Sequence, residues 1–196
     1  MLRRHRFVPV ILGAALGVSL LGAPAYATTI TADTTLLGVN EVPPNASPAV
    51  GDADITIVGD TLTVDMDWAG LIGGNPAAAH IHCCTAPGTN VGVAVGFPAF
   101  PSTTSGSYFH VFNLLDPSIY TAAFLNNFGG GTAAGAEAAL INGILAGNAY
   151  VNIHNAVFPG GEIRGQLEGQ IVPEPATLTL FGLGLAGAAF RRRIRR

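Results

Sequence analysis

The sequence predicts a mainly β protein, a single antiparallel β-sandwich of Greek-key type with one or two short helices in one long connection. Many short apolar runs, several alternating with polar residues, are separated by turn-forming residues, a pattern typical of sandwiches. Hydrophobic residues make up 49% of the 196 residues and charged residues 11%, which excludes a disordered polar chain. Residues 28–171 are numerous enough to bury one hydrophobic core.

The first predicted strand covers residues 30–37, and the Pro-rich segment 41–48 then interrupts regular structure. Residues 54–58 and 61–68 predict a hairpin that turns at 59–60. In the second arm of this hairpin every second residue is apolar, which is the period of a half-buried strand. Further strands are predicted at 77–82, 91–95, 107–114, 148–155 and 162–170.

Two helices are predicted in the connection between residues 114 and 148. Asp116 is an N-cap residue followed by Pro117 at the first helical position, which predicts a helix over 118–126. Thr132 starts a second helix, 133–146, which ends at Gly147.

The N-terminal segment has the three parts of a secretory signal peptide. Arginines at positions 3, 4 and 6 precede an uncharged run over 7–22, and Ala25-Tyr26-Ala27 has the small-x-small pattern of a cleavage site. We therefore expect residues 1–27 to be a signal peptide removed on export. An uncleaved N-terminal membrane anchor is the alternative.

The C-terminal segment has a different order of features. Pro173, Glu174 and Pro175 precede an uncharged run over 176–190, and five arginines follow within 191–196. A helix over that run is about 22 Å long, shorter than a bilayer core of about 30 Å. The arginines stay in the cytoplasm by the positive-inside rule, so we expect a short transmembrane helix that places residues 28–171 outside the cytoplasm.

Residues 172–196 closely resemble the PEP-CTERM sorting signal of exopolysaccharide-producing Gram-negative bacteria. The resemblance implies processing by an exosortase, a membrane-embedded cysteine protease, and removal of the helix. It also implies a location in the periplasm, outer envelope, cell surface or extracellular matrix, in association with exopolysaccharide or biofilm components.

The charge distribution excludes one class of partner. Between residues 28 and 172 there are 11 acidic residues and a single arginine, and the chain has no lysine. Binding to a nucleic-acid backbone needs clustered cations, so we expect no nucleic-acid partner. Same-face aspartate pairs at 52/54 and 65/67 predict a solvated acidic face, with Ca²⁺ binding as the alternative.

Four motifs in the middle of the chain resemble the CHRD domain, a family first described in chordin. They are residues 41–44 (EVPP), 79–82 (AHIH), 150–154 (YVNIH) and 158–167 (FPGGEIRGQL). The resemblance implies a β-rich extracellular module over 28–171 and no settled activity.

Three histidines form the strongest candidate site. His80 and His82 are two apart on a predicted strand, so both rings point to one face, and His154 ends another strand. Three histidines commonly hold Zn or Cu with one position left open, so we expect a copper or zinc site at these residues. A hydrogen-bonded structural trio is the alternative, and His110 is an additional candidate ligand.

A weaker resemblance connects these strands to copper–zinc superoxide dismutases and implies a superoxide-dismutase-like fold. It implies that His80, His82 and His154 are copper ligands and that Arg164 attracts anions. The bridging histidine and the zinc ligands of that family have no obvious equivalents here. From spacing alone, Glu162 and Arg164 predict an ordinary ion pair on one strand face.

Cys83 and Cys84 directly follow His82. In an oxidising compartment two cysteines normally pair, so a vicinal disulfide is one expectation. Thiolates beside the histidines could instead join a soft-metal site, or remain free or pair between molecules.

No complete catalytic constellation stands out, so the sequence favours a non-enzymatic envelope or matrix protein delivered by the sorting tail. A copper- or zinc-binding, redox-active protein that uses the three histidines is the second hypothesis.

Overall fold

The computed structural model describes residues 28–173 and eight tail positions, which are 182, 184, 185, 187 and 190–193. The predicted signal peptide, residues 1–27, lies outside the described residues, as do Glu174, Pro175 and about two thirds of the predicted tail helix. Within the part of the chain that is described, no helix is both long and apolar enough to cross a bilayer.

Nine antiparallel strands form one continuous, curled sheet. They are β1 (Thr29–Leu37), β2 (Val50–Val58), β3 (Thr61–Ala69), β4 (Pro76–Cys83), β5 (Val93–Gly96), β6 (Gly106–Asn113), β7 (Ala149–Asn155), β8 (Ile163–Leu167) and β9 (Gln170–Val172). Their order is β5-β4-β7-β8-β1-β2-β3-β6, and β9 pairs with β1. The mainly β prediction is therefore confirmed, with the strands joined in one sheet whose edges are β5 and β6.

The hairpin of β2 and β3 follows the predicted alternation. Gly59 in its turn has a φ of +55°, a conformation that glycine adopts without a Cβ penalty. Apolar side chains such as Val64 and Trp68 point inward and are buried, while the aspartates of both strands point to solvent. Asp54 of β2 lies directly opposite Asp33 on β1 and Asp65 on β3, so carboxylates form a row across three strands.

Both helices lie in the connection between β6 and β7, as predicted, but the first is shorter than expected. Asp116 caps only a 3₁₀ turn, Pro117–Ile119, and α1 covers Ala122–Asn127. Tyr120 is extended because it bridges to Val95 of β5. The hydroxyl of Thr121 then accepts from the Phe124 amide at 3.2 Å and starts α1.

The second helix, α2 (Ala133–Leu145), matches its prediction, and Thr132 is its N-cap. The predicted strand over 162–170 is instead split into β8 and β9. The split occurs because the Gly169 amide donates to the Ile144 carbonyl at the end of α2, across 2.9 Å. This amide therefore takes no part in the hydrogen bonds between strands.

Strands β4, β7 and β8 have two different faces. One face is the hydrophobic core, in which residues such as Ile81, Val151 and Ile163 are fully buried. The opposite face carries polar side chains, among them His80 and Arg164. Two segments cover that face and enclose the candidate site. One follows the 3₁₀ turn Gly38–Asn40, and the other follows β4.

Candidate metal centre

The pairing of β4 with β7 brings the three predicted histidines together. Ala78, His80 and His82 on β4 lie opposite His154, Asn152 and Tyr150 on β7. One ring nitrogen from each of His80, His82 and His154 lies within 4.8 Å of the others. The ring centres are 5.1 Å apart for His80 and His154, 5.6 Å for His80 and His82, and 5.9 Å for His82 and His154.

The ring of His82 is held by the backbone of the segment that follows β4. Its Nδ1–H donates to the carbonyl oxygen of Val91 at 2.8 Å. Since a carbonyl can only accept, the proton lies on Nδ1 and the lone pair lies on Nε2. Nε2 is buried and has no hydrogen-bond partner among the described residues. A buried nitrogen without a partner is costly in a protein interior, and a metal ion is one way to satisfy it.

His80 and His154 complete the cluster. Nδ1 of His80 is also buried without a hydrogen-bond partner among the described groups. Nδ1 of His154 lies 3.0 Å from the carbonyl oxygen of Pro159, and Nε2 lies 2.8 Å from the side-chain oxygen Oδ1 of Asn152. Both oxygens accept hydrogen bonds, so the neutral ring of His154 donates its single proton to only one of them and keeps its lone pair on the other nitrogen.

All three rings are in the protonation state that binds metal. Burial, assisted by the neighbouring His154 and His82 rings, lowers the pKa of His80 to about 4. Burial also lowers the pKa values of His82 and His154. The imidazoles are neutral at neutral pH, so a metal does not have to displace protons from them.

The donor set fits Zn²⁺ or copper. Histidine nitrogens bind Zn²⁺ at about 2.0–2.1 Å, so in a tetrahedral site two ligand nitrogens are about 3.4 Å apart. The cluster nitrogens lie within 4.8 Å of one another, so the most distant pair has to close by up to about 1.4 Å, through rotation of the rings. Three protein nitrogens leave the fourth tetrahedral position open for water or another ligand.

A layer of side chains behind His82 fixes its orientation. The ring of Tyr150 stacks on His82 with ring centres 4.6 Å apart and planes within 4°. The guanidinium of Arg164 lies 3.3 Å from the centre of the Tyr150 ring, a cation–π contact. Arg164 also donates to the Asn90 side chain at 3.0 Å and to the Thr89 carbonyl at 3.1 Å, which anchors the segment that carries Val91.

Glu41, from the first of the four motifs, is buried on the same side of the sheet. It is only 3% exposed, and burial raises its pKa to about 7 against the opposing effect of Arg164. Gly161 has a φ of +127°, and a side chain there would collide with the Glu41 carboxyl and the Asn152 amide. This close approach explains the need for glycine at position 161.

The structure does not bring the other candidate ligands to the cluster. His110 lies on β6, where its ring contacts those of Tyr108 and Phe112. Cys83 follows His82 on β4 and therefore points to the opposite face, into the core, where it is fully buried. A disulfide joins Cys83 to Cys84 beneath Gly143 of α2.

The predicted ion pair between Glu162 and Arg164 does not form, so that prediction was wrong. The carboxylate of Glu162 accepts from the Ser47 hydroxyl at 2.6 Å and from the amides of Ile72 and Gly73 at 2.7 and 3.1 Å. It also accepts from the side-chain amide of Asn155. Glu162 is a structural anchor for two loops and the end of β7, and Arg164 instead bonds to the segment that follows β4.

Sequence reasoning missed the groups that orient the histidines. The carbonyls of Val91 and Pro159 carry no sequence signal, because every residue has one. Tyr150 and Asn152 did carry a signal, since they alternate with core residues in the same motif as His154.

Two regions of the chain match known family models. The PEP-CTERM protein-sorting motif matches residues 172–193. That motif directs proteins to exosortase processing and to the cell envelope of Gram-negative bacteria, and the chain is therefore an exported, exosortase-sorted protein.

The second region contains the histidine cluster. The CHRD domain model matches residues 32–167, which include most of β1, all of β2 to β8 and all three histidines. No curated protein sequence and no solved structure matches the chain. The family match covers more than half of the chain and agrees with the four motifs, and the chain belongs to the CHRD domain family.

Proposed function

We propose that this exported protein binds one copper or zinc ion through His80, His82 and His154. The observation that carries the proposal is the pair of buried ring nitrogens, His80 Nδ1 and His82 Nε2, that have no hydrogen-bond partner among the described residues. They lie in the same cluster as the His154 ring. A purely structural trio would be expected to satisfy its buried nitrogens with hydrogen bonds.

The chain's own groups would hold the ligands in place. Val91 accepts from Nδ1 of His82, which sets the tautomer of that ring, and the Pro159 and Asn152 oxygens hold the His154 ring through its two nitrogens. Tyr150 stacks against His82 and limits its rotation. A bound copper ion would supply one-electron chemistry, and a bound zinc ion would supply a Lewis acid, at the open coordination position.

The experiment is a metal titration of the full chain, exported and purified without a histidine tag. Competition with a chromophoric chelator gives the affinities for Cu²⁺ and Zn²⁺, and elemental mass spectrometry gives the metal content. We expect one ion per chain, and a loss of binding of more than 100-fold in the His80→Ala/His154→Ala variant. His110→Ala is the matched control, because His110 is outside the cluster and should not change the affinity.

Two outcomes would contradict the metal proposal. One is a folded wild-type protein that takes up neither ion after reconstitution. The other is equal binding by the double variant and by the wild type.

We propose further that the sorted protein associates with exopolysaccharide or another matrix component. The support is the sorting motif over 172–193. In this proposal the mature domain spans residues 28–171, after removal of 1–27 and processing of the tail by an exosortase. Deletion of 172–196 should release the protein into the medium and reduce its content in isolated matrix. An unchanged matrix content would refute a role of the tail in this association.

A further inference from the structure

A groove lies beside the histidine cluster, where the curled sheet stays open between its edges. The two edge strands of the sheet are β5 and β6. Near the end of β5, the space between β4 and β6 forms a groove of about 740 Å³. That volume is within the range of about 300–1,000 Å³ typical of small-molecule sites.

The walls of this groove are aromatic and uncharged. Its aromatic lining residues are Phe97, Phe100, His110, Phe112, Tyr120 and His80. Phe97, Phe112 and Tyr120 are buried in the core, so the half-buried rings of Phe100, His80 and His110 present most of the aromatic surface. None of the described residues that line it is an aspartate, glutamate, lysine or arginine. A neutral ligand with an aromatic ring suits such walls, since stacked and edge-to-face ring contacts add to the gain from apolar burial.

Two hydroxyl groups at the groove already have partners. The hydroxyl of Tyr120 donates to the Leu114 carbonyl at 2.9 Å, and that of Thr121 donates to the Val93 carbonyl at 2.6 Å. His110 differs, because its contacts are with the rings of Phe112 and Tyr108, at 4.4 and 5.9 Å between centres. Its ring nitrogens make no hydrogen bond to a described group, so one of them is available to a ligand in the groove.

We infer that this groove binds a neutral, planar aromatic alcohol. The ring of the ligand packs against the half-buried Phe100, and its hydroxyl hydrogen-bonds to the His110 imidazole. Because His80 lines both the groove and the histidine cluster, the bound molecule lies next to the proposed metal centre. The inference goes beyond the proposed function and does not depend on it, since none of these contacts needs a metal.

Three probes of similar size separate the contributions to binding. 2-Naphthol has both the aromatic rings and the hydroxyl, naphthalene lacks the hydroxyl, and decahydro-2-naphthol lacks the aromatic rings. Binding to the chelator-treated full chain is followed by NMR shifts of groove residues. We expect saturable binding of 2-naphthol, and binding about tenfold weaker for each of the other two, the loss expected for one hydrogen bond or one aromatic contact.

Two variants locate the site. His110→Phe keeps an aromatic wall but removes the hydrogen-bonding nitrogen, and it should weaken 2-naphthol binding about tenfold while leaving naphthalene binding unchanged. Ala77→Phe fills the groove from an exposed position and should weaken all probes. Phe109→Ala is the matched control, because Phe109 is the neighbour of His110 on β6 but is 64% exposed on the opposite face.

The inference is overturned by any of three results. The first is an absence of saturable 2-naphthol binding to the folded wild type. The second is binding of decahydro-2-naphthol as tight as that of 2-naphthol. The third is an equal effect of Phe109→Ala and Ala77→Phe. Metal-free protein is used throughout, so these three results can be interpreted whether or not the protein binds a metal.

Discussion

His82 donates its Nδ1–H to the carbonyl oxygen of Val91 across 2.8 Å, and this contact fixes which ring nitrogen faces the other histidines. The lone pair on Nε2 then points into the cluster, where no described group satisfies it. Val91 belongs to the segment after β4 that Arg164 anchors through Asn90 and Thr89. The orientation of a candidate ligand therefore depends on a residue of β8.

Arg164→Lys tests this dependence. Lysine has one nitrogen and cannot keep both the Asn90 and Thr89 contacts while it covers the Tyr150 ring. We expect metal affinity to fall about tenfold, the lower end of the cost of changing groups that orient metal ligands. Competition with the chromophoric chelator measures this affinity, as for the histidine variants. Glu168→Gln, in the surface pocket that Arg164 also lines, is the control and should have no effect. An affinity unchanged in Arg164→Lys would show that the Val91 segment needs no such anchor.

Glu41→Gln tests the buried carboxyl. Burial raises the pKa of Glu41 from 4.5 to about 7, so the folded protein holds a proton that the unfolded chain releases between those pH values. The stability that Glu41 contributes is fully present below pH 4.5 and is lost as the pH rises through about 7.

Relative to Glu41→Gln, the wild type should therefore lose up to about 3 kcal/mol of unfolding free energy between pH 4.5 and 7, and no more at higher pH. Urea unfolding of both metal-free proteins at several pH values measures the difference, and the histidine contributions shared by the two proteins cancel. A difference that does not change with pH would mean that Glu41 titrates normally in the fold.

Gly143→Ala tests the packing of α2 on the disulfide. A Cβ at position 143 would overlap the Cys83 sulfur and lie 2.8 Å from that of Cys84. Overpacking of this kind costs about 1–3 kcal/mol, which outweighs the gain of up to about 1 kcal/mol in helix propensity. In a Cys83→Ala/Cys84→Ala background the overlap is removed, and Gly143→Ala should cost less. Equal costs in the two backgrounds, measured by urea unfolding, would refute this contact.

Asp54→Thr tests the carboxylate row on the outer face. Asp54 lies between Asp33 and Asp65 on strands that are about 4.8 Å apart, and like charges directly opposite each other destabilise a sheet. Threonine removes the repulsion and favours strands, so we expect a gain of about 0.5–1 kcal/mol at low salt. The gain should shrink in 1 M NaCl because salt screens exposed charges. A loss of stability at low salt, with chelator present, would show that the repulsion is negligible.

The strand pattern was predictable because alternation of apolar and polar residues follows directly from strand geometry, as in β3. The helix over 118–126 was predicted too long because Tyr120 pairs with Val95, a contact between segments that are distant in sequence. The same reason explains the missed split between β8 and β9, where Gly169 bonds to Ile144 of α2.

The candidate site was likewise only partly predictable from the sequence. The spacing of His80 and His82 predicts a shared face, and the structure places His154 of β7 beside them. The register of β4 on β7, which sets the distances among the three rings, depends on pairing between strands about 70 residues apart. The Glu162–Arg164 prediction failed because the partners of Glu162, such as Ser47 and Gly73, come from loops that spacing along β8 does not reveal.

The central claim is that His80, His82 and His154 bind a metal ion, and X-ray absorption of the zinc-loaded full chain tests it most directly. We predict three imidazole nitrogens at about 2.0–2.1 Å and one further light ligand. His110→Ala should give the same spectrum, and His82→Ala should lose the bound ion. Fewer than three imidazoles, or a sulfur at about 2.3 Å from Cys83 or Cys84, would contradict the three-histidine centre.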